Sequence, residues 1–203
     1  MSEEGKLRPA VFIDRDGTLN KVVYDSDGME NSPFRVEDLE LLPGAAEFTR
    51  RIREAGYLAV LVTNQPGVAK GSITIDGLDQ IHQRLCSLLA EDAGGLDRIC
   101  YCPHHPRGKP GISSPFIQAC DCRKPSPGML TTAAEEMGID LTRSWMVGDK
   151  LLDVQAGQAA GCRTILLPRV TGEHDAMPNQ LPQAAYEVNS LDEAFKVIRN
   201  NGT

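Results

Sequence analysis

The sequence predicts a single α/β domain over residues 1–203, a Rossmann-like, doubly wound and mostly parallel sheet. Three observations predict it. Short β-branched runs alternate with amphipathic helical stretches along the whole chain. An apolar share of 41% beside 24% charged residues is enough to fill one core in 203 residues. No repeat, low-complexity tract or linker divides the chain into two parts.

In chain order, the first apolar run, Val11 to Asp14, reads as a buried strand. Pro43-Gly44 then punctuates the chain, and the amphipathic stretch Ala45 to Ala55 reads as a helix. Leu58 to Val62 is the second strand and Ile75 to Ala90 the second helix. Arg98 to Tyr101 gives a third strand, and Gly128 to Met137 a third helix. Trp145 to Val147 and Thr164 to Leu167 complete the strands around the helix Leu151 to Ala160, which Gly161 stops. A last helix runs from Leu191 to Ile198.

Composition narrows the function. With 21 basic and 28 acidic residues the formal charge is -7, which argues against nucleic-acid or anionic-membrane partners. An anionic ligand therefore needs a local positive site. The chain shows no basic leader followed by an apolar run, and no window long and apolar enough to span a bilayer, so a cytoplasmic protein is expected, and a monomer. Six cysteines are too few for a disulfide scaffold. Cys86 and Cys162 read as small core residues, whereas the spacing of Cys102, Cys120 and Cys122 suggests metal ligation.

In an open α/β sheet the ligand crevice lies at the carboxyl ends of the strands. Three predicted strands end in polar residues of the right chemistry: Asp14-Arg15-Asp16-Gly17-Thr18, Thr63-Asn64, and Gly148-Asp149-Lys150. Alone, Asp-x-Asp-Gly is an ordinary solvated turn; placed after an apolar strand, it sets two carboxylates at one small volume. Such a cluster suits a hard cation, and Asp14, Asp149 and Asp16, the last through a backbone carbonyl at or near it, are the candidate Mg²⁺ ligands. Thr63-Asn64 would serve equally as a helix cap, but opposite the aspartates its hydroxyl and amide, with the N–H groups from Gln65 to Gly67, make a phosphate cradle. Arg123-Lys124 adds the positive charge.

These four segments, in this order, resemble the four motifs of the haloacid dehalogenase-like phosphohydrolases. A finer resemblance is to the D-glycero-D-manno-heptose-1,7-bisphosphate 7-phosphatase family, carried by Phe12 to Asn20, Val62 to Gln65, Tyr101 to Pro106 and Cys120 to Pro125. Histidinol-phosphate phosphatases share the same skeleton. The resemblance implies an aspartyl-phosphate mechanism with Asp14 as nucleophile and Asp16 as acid and then base. It implies that Thr63 and Lys124 hold the phosphoryl oxygens, and that Asn64, Gln65, Arg123 and Lys150 are candidates for substrate recognition. Asp153 is left as a helix-capping or surface residue.

Cys102-x-His104 and Cys120-x-Cys122 supply three thiolates and an imidazole, the ligand set of a closed structural Zn²⁺ site. His105 competes with His104 by position, and the family's zinc loop, here residues 102–122, favours His104. Closing that loop would set Arg123 and Lys124 at the crevice. The stretch Val22 to Leu41 departs from the family's substrate-contacting segment, and no insertion is large enough for a cap domain. The expected substrate is the 7-phosphate of a heptose 1,7-bisphosphate. Histidinol phosphate is the alternative substrate, and a catalytically silent phosphate-binding protein the alternative class.

Overall fold

The computed structural model describes residues 7–168 and 183–202. Eight strands and five α-helices follow in the order β1 (Ala10–Ile13), β2 (Val23–Tyr24), β3 (Glu30–Asn31), α1 (Ala45–Glu54), β4 (Leu58–Asn64), α2 (Ile75–Glu91), β5 (Arg98–Cys102), α3 (Gly128–Met137), β6 (Trp145–Gly148), α4 (Leu151–Ala159), β7 (Arg163–Leu166), β8 (Tyr186–Glu187) and α5 (Leu191–Asn201). Six strands form one parallel sheet in the order β5-β4-β1-β6-β7-β8, and β2 and β3 form a separate antiparallel hairpin.

The strand sequences explain the layering. Every residue of β1 is buried, which requires cover on both faces of the sheet. Alternation along each strand sends Val11, Ile13, Ala59, Leu61, Trp145 and Val147 to one face, where Phe48 and Ile52 of α1, Ile81, Leu85 and Leu89 of α2, and Phe195 and Ile198 of α5 pack. Phe12, Val60, Val62 and Met146 face the other side, against Met129, Leu130 and Ala133 of α3 and Ala156 of α4.

The winding reverses at β1. The chain moves outward through β4 and β5, then crosses back to β6 on β1's other side. That reversal leaves a crevice above the carboxyl ends of β4, β1 and β6. In register, Ile13 is level with Leu61 and Val147, so Asp14, the residues after Val62, and Gly148-Asp149 rise at one height.

The five predicted strands and five predicted helices are all present: β1 and β7 are shifted by one residue, β5, β6 and α2 are one longer, α1 and α4 one shorter, α3 is as predicted and β4 runs two residues further. The last helix extends to Asn201. The β2–β3 hairpin and β8 were not foreseen, because two-residue strands carry no readable period. Between β1 and α1 the described residues hold only this hairpin and a single 3-10 turn, Val36–Asp38, and no cap domain. Cys162 is buried as expected; Cys86 is half-buried on α2.

Candidate active site

Asp14 leaves β1 with its N–H donated to Val147 O (2.9 Å), a bond that continues the sheet ladder and aims the carboxylate into the crevice. Lys124 arrives from the segment before α3, and its Nζ lies 2.7 Å from Asp14 Oδ1, 2.5 Å from Asp153 Oδ1 and 2.8 Å from Val62 O. It is 3% exposed. Burial alone would push its pKa down; the Asp14 and Asp153 carboxylates outweigh burial and raise it, so the ammonium stays charged. Thr63, also buried, lines the same space.

Asp149 follows β6 and completes a group of three buried carboxylates with Asp14 and Asp153, one oxygen of each within 4.8 Å of the others. Burial first, and Asp14 second, push Asp149 up to about 8, Lys150 opposing. Asp153 is pushed up to about 6 by burial, against the pull of Lys124. Asp149 Oδ1 is buried with no hydrogen-bond partner. An orphaned carboxylate oxygen on Asp149, beside the Asp14 and Asp153 carboxylates that Lys124 bridges, fits a divalent cation with oxygen ligands. The backbone approaches the same point. At Gly17 the chain takes φ +88°, and a Cβ there would lie 2.3 Å from Asp149 Oδ2.

Asp153 is the functional residue that the sequence reading set aside. Its Oδ2 accepts from the Lys150 N–H (3.0 Å), which caps α4, while its Oδ1 takes the Lys124 ammonium. Capping and charge pairing are thus served by one carboxylate. The signal was available in the four-residue step from Asp149, which faces both residues the same way once α4 begins.

Asp16 stands apart from those three carboxylates. Its Oδ1 accepts from Arg15 Nε and Asn20 Nδ2, both at 3.0 Å, and its Oδ2 accepts from Arg15 Nη2 (3.1 Å), Ser32 Oγ (2.8 Å) and Gln65 Nε2 (2.8 Å). Burial would raise its pKa, but Arg15 and the three neutral donors together hold it below the usual carboxylate range. Two residues expected to meet substrate also make contacts within the protein. Gln65 is fully buried, its Nε2 shared between Asp16 and Thr63 Oγ1 (3.0 Å). Asn64 lines the crevice, yet its amide brackets the Lys124 backbone, Nδ2 donating to Lys124 O and Oδ1 accepting from Lys124 N, both at 3.0 Å. Both side chains therefore hold the machinery in place.

The crevice measures about 310 Å³. Its rim carries Arg123, Lys70, Lys109 and Lys150. Burial and then the positive charges of Arg123, Lys109 and Arg107 depress the Lys70 pKa, evidence that these cations share one region. Arg123 Nη1 donates to His104 O (3.3 Å), which ties it to the cysteine loop. Lys150 pairs with Glu30 of the hairpin at 2.9 Å.

Beside the crevice, Cys102 ends β5 next to Asn64 of β4. Its Sγ lies 3.5 Å from Cys120 Sγ and 3.2 Å from Cys122 Sγ; Cys120 and Cys122 are 3.1 Å apart, and His104 Nδ1 is 3.3 Å from Cys122 Sγ. Tetrahedral Zn²⁺ with Zn–S of about 2.3 Å puts sulfurs about 3.8 Å apart, so this compact set of four ligand atoms fits such an ion. His105 is turned away, its Nδ1 accepting from Arg107 N (3.0 Å), which decides between the two histidines. A Cβ on Gly128 would lie 2.3 Å from Asp121 O, so the start of α3 is pressed against the loop that delivers Arg123 and Lys124.

A family model described as HAD-hydrolase-like matches residues 121–194. The D-glycero-D-manno-heptose-1,7-bisphosphate 7-phosphatase of Thermosynechococcus vestitus is 41% identical over 82% of this chain and 82% of its own. The D-glycero-beta-D-manno-heptose-1,7-bisphosphate 7-phosphatase of Escherichia coli K12 is 38% identical over 96% of this chain and 95% of its own. Among solved structures, the D,D-heptose 1,7-bisphosphate phosphatase of B. bronchiseptica, complexed with magnesium and phosphate, superposes with a TM-score of 0.74 at 30% identity, covering 95% of this chain and 98% of that one. A HAD-like phosphatase from Mesorhizobium loti gives a TM-score of 0.78 at 32% identity over 98% of this chain and 90% of that one. Identity at this level over most of both chains means that the chain belongs to the D-glycero-D-manno-heptose-1,7-bisphosphate 7-phosphatase family of haloacid dehalogenase-like hydrolases.

Proposed function

We propose that the chain, acting as one catalytic domain, hydrolyses the 7-phosphate of a heptose 1,7-bisphosphate through an aspartyl-phosphate. The observation that carries this reading is Asp14, aimed into the crevice with Lys124 at 2.7 Å and Thr63 beside it, below a rim of cations. Asp14 attacks phosphorus while Thr63 and Lys124 hold the non-bridging oxygens. The sugar alkoxide leaves with a proton from Asp16. Asp16 then takes a proton from the water that attacks the aspartyl-phosphate, releasing inorganic phosphate and restoring Asp14.

Asp16 in its present hydrogen-bonded state is ionised, which suits the second step. An arriving phosphate dianion raises the proton affinity of a nearby carboxylate, and this prepares Asp16 for the first. Asp14, Asp149 and a backbone carbonyl at Asp16 would hold Mg²⁺, which supplies charge neutralisation between nucleophile and phosphate. Cys102, His104, Cys120 and Cys122 would hold a structural Zn²⁺ that keeps Arg123 at the rim. Arg123, with Lys70 and Lys109 near it, then meets the second phosphate.

No helix among the described residues is long and apolar enough to cross a membrane, and a small sugar phosphate in the cytoplasm is the partner this reading requires. Phosphate release from heptose 1,7-bisphosphate, histidinol phosphate and fructose 1,6-bisphosphate, each with added Mg²⁺, tests it. The heptose should be turned over fastest by kcat/KM, and a preference for histidinol phosphate would overturn the assignment.

A further inference from the structure

His82 is a buried titratable side chain that the proposed mechanism does not use. It projects from α2, tilted against the Tyr101 ring of β5 at 5.3 Å between centroids. Its Nε2 lies 3.3 Å from Arg15 Nη1. Arg15 is fully buried, and its Nε and Nη2 engage both oxygens of Asp16. A guanidinium offers only donors, so the imidazole nitrogen facing it must carry the lone pair. Burial first, and the Arg15 charge second, push His82 down to about 4, Asp16 pulling the other way, so the ring is neutral near pH 7.

We infer that His82 is a positioning residue for the acid–base step, acting through Arg15. The planar guanidinium has one edge committed to Asp16, and His82 at its other end fixes the tilt of that plane. Without the imidazole, Nη1 would be a buried donor with no acceptor, a state that costs free energy until the fork reorients. Any reorientation moves both contacts to Asp16 together. Ser32, Asn20 and Gln65 are single neutral donors from other directions and cannot restore the bidentate geometry. His82 thus sets where the Asp16 carboxylate stands relative to the leaving oxygen, from the far side of Arg15 and without touching substrate.

This inference rests on the reading of Asp16 as acid and base, and the test separates the two. The full chain and its His82→Leu, His82→Gln and Asp16→Asn variants are assayed with Mg²⁺ on heptose 1,7-bisphosphate and on p-nitrophenyl phosphate, whose leaving group needs no proton. His82→Leu should lower kcat on the sugar phosphate by about tenfold, the scale of one lost charge-assisted contact, with little change on the aryl phosphate or in either KM. His82→Gln should recover most of that loss, because its amide oxygen can accept from Arg15. His82→Asn, too short to reach Arg15, replaces the leucine variant if the latter does not fold. An equal loss on both substrates, or a glutamine variant that folds yet is no better than leucine, overturns the role of His82, provided that Asp16→Asn still shows the leaving-group dependence. If Asp16→Asn shows none, the acid–base reading of Asp16 falls and this inference falls with it.

Discussion

Two clusters of candidate metal-ligating side chains lie at the carboxyl edge of one sheet, with β4 between them, and they are built on opposite principles. The Cys102, His104, Cys120 and Cys122 group is drawn from the end of β5 and the segment that follows it, with ligand atoms packed against each other and no cation of the protein among them. The Asp14, Asp149 and Asp153 group is drawn from two strand ends and the first turn of a helix, and it already contains a positive charge, Lys124. A closed, soft-ligand site holds an ion permanently and stabilises a loop; an open, hard-ligand site with a built-in ammonium exchanges its ion and leaves room for a phosphoryl group. The difference is one of access: Asp14, Asp153 and Lys124 line the crevice, and the four zinc-type ligands lie beside it.

Asp14→Asn is the change with the largest expected effect. It should abolish phosphate release, a loss of about 10⁴-fold or more on the scale of removing a nucleophile, with zinc content and circular dichroism unchanged. Activity near wild type would mean that the carboxylate cluster is not the reacting centre.

Lys124→Met tests the built-in charge. It removes the ammonium that bridges Asp14 and Asp153, so kcat should fall by about 10² to 10³, the scale of losing one oxyanion contact. The metal-free variant should melt well below wild type, because Asp14 and Asp153 lose their buried partner, and added Mg²⁺ should raise its Tm more than it raises that of wild type. Equal Mg²⁺ shifts in differential scanning fluorimetry would argue that Lys124 and the cation do not share these carboxylates.

Arg123→Ala probes the link between the two clusters, since Arg123 is anchored to His104 O and faces the crevice. The bisphosphate should lose about ten- to a hundredfold in kcat/KM, and a small monophosphate far less, as expected from one charge-assisted contact to a second phosphate. A uniform loss would place Arg123 at the reacting phosphate instead.

Cys120→Ser should act on the other cluster. Zinc content measured by atomic emission should drop from about one per chain, and Tm should fall by about 10 °C, taking 2–4 °C per kcal/mol for a chain of this size. Brief EDTA treatment should remove activity before zinc, and Mg²⁺ alone should restore it. Loss of zinc with no change in Tm would show that the loop is held by its own packing.

The legibility of the site followed the same division. Cys102, His104, Cys120 and Cys122 could be grouped from spacing, because their ligand atoms meet through short stretches of one loop. Spacing leaves His104 and His105 open and the family resemblance favours His104; the structure agrees, grouping His104 with the three cysteines and turning His105 toward Arg107 N. Asp14, Thr63 and Asp149 were readable because each closes an apolar run, and strand ends in a parallel sheet converge whatever the details of packing. The contacts of Asn64 with the Lys124 backbone and of Gln65 with Asp16 were not readable, because position at a strand end does not say which neighbours an amide meets.

By itself the sequence determined the layered α/β sheet, the order of its strands and helices, and the residue types gathered at its carboxyl edge, since these depend on hydrophobic period and local punctuation. Only the tertiary structure decided that Asp153 shares Lys124 with Asp14, that Asp16 is caged by Arg15, Asn20, Ser32 and Gln65, and that the hairpin β2–β3 reaches back to Lys150. Those contacts join residues separated by up to 120 positions between Glu30 and Lys150. They rest on charge pairing and hydrogen-bond satisfaction in a buried volume, and no periodicity along a chain encodes which donor will find which carboxylate.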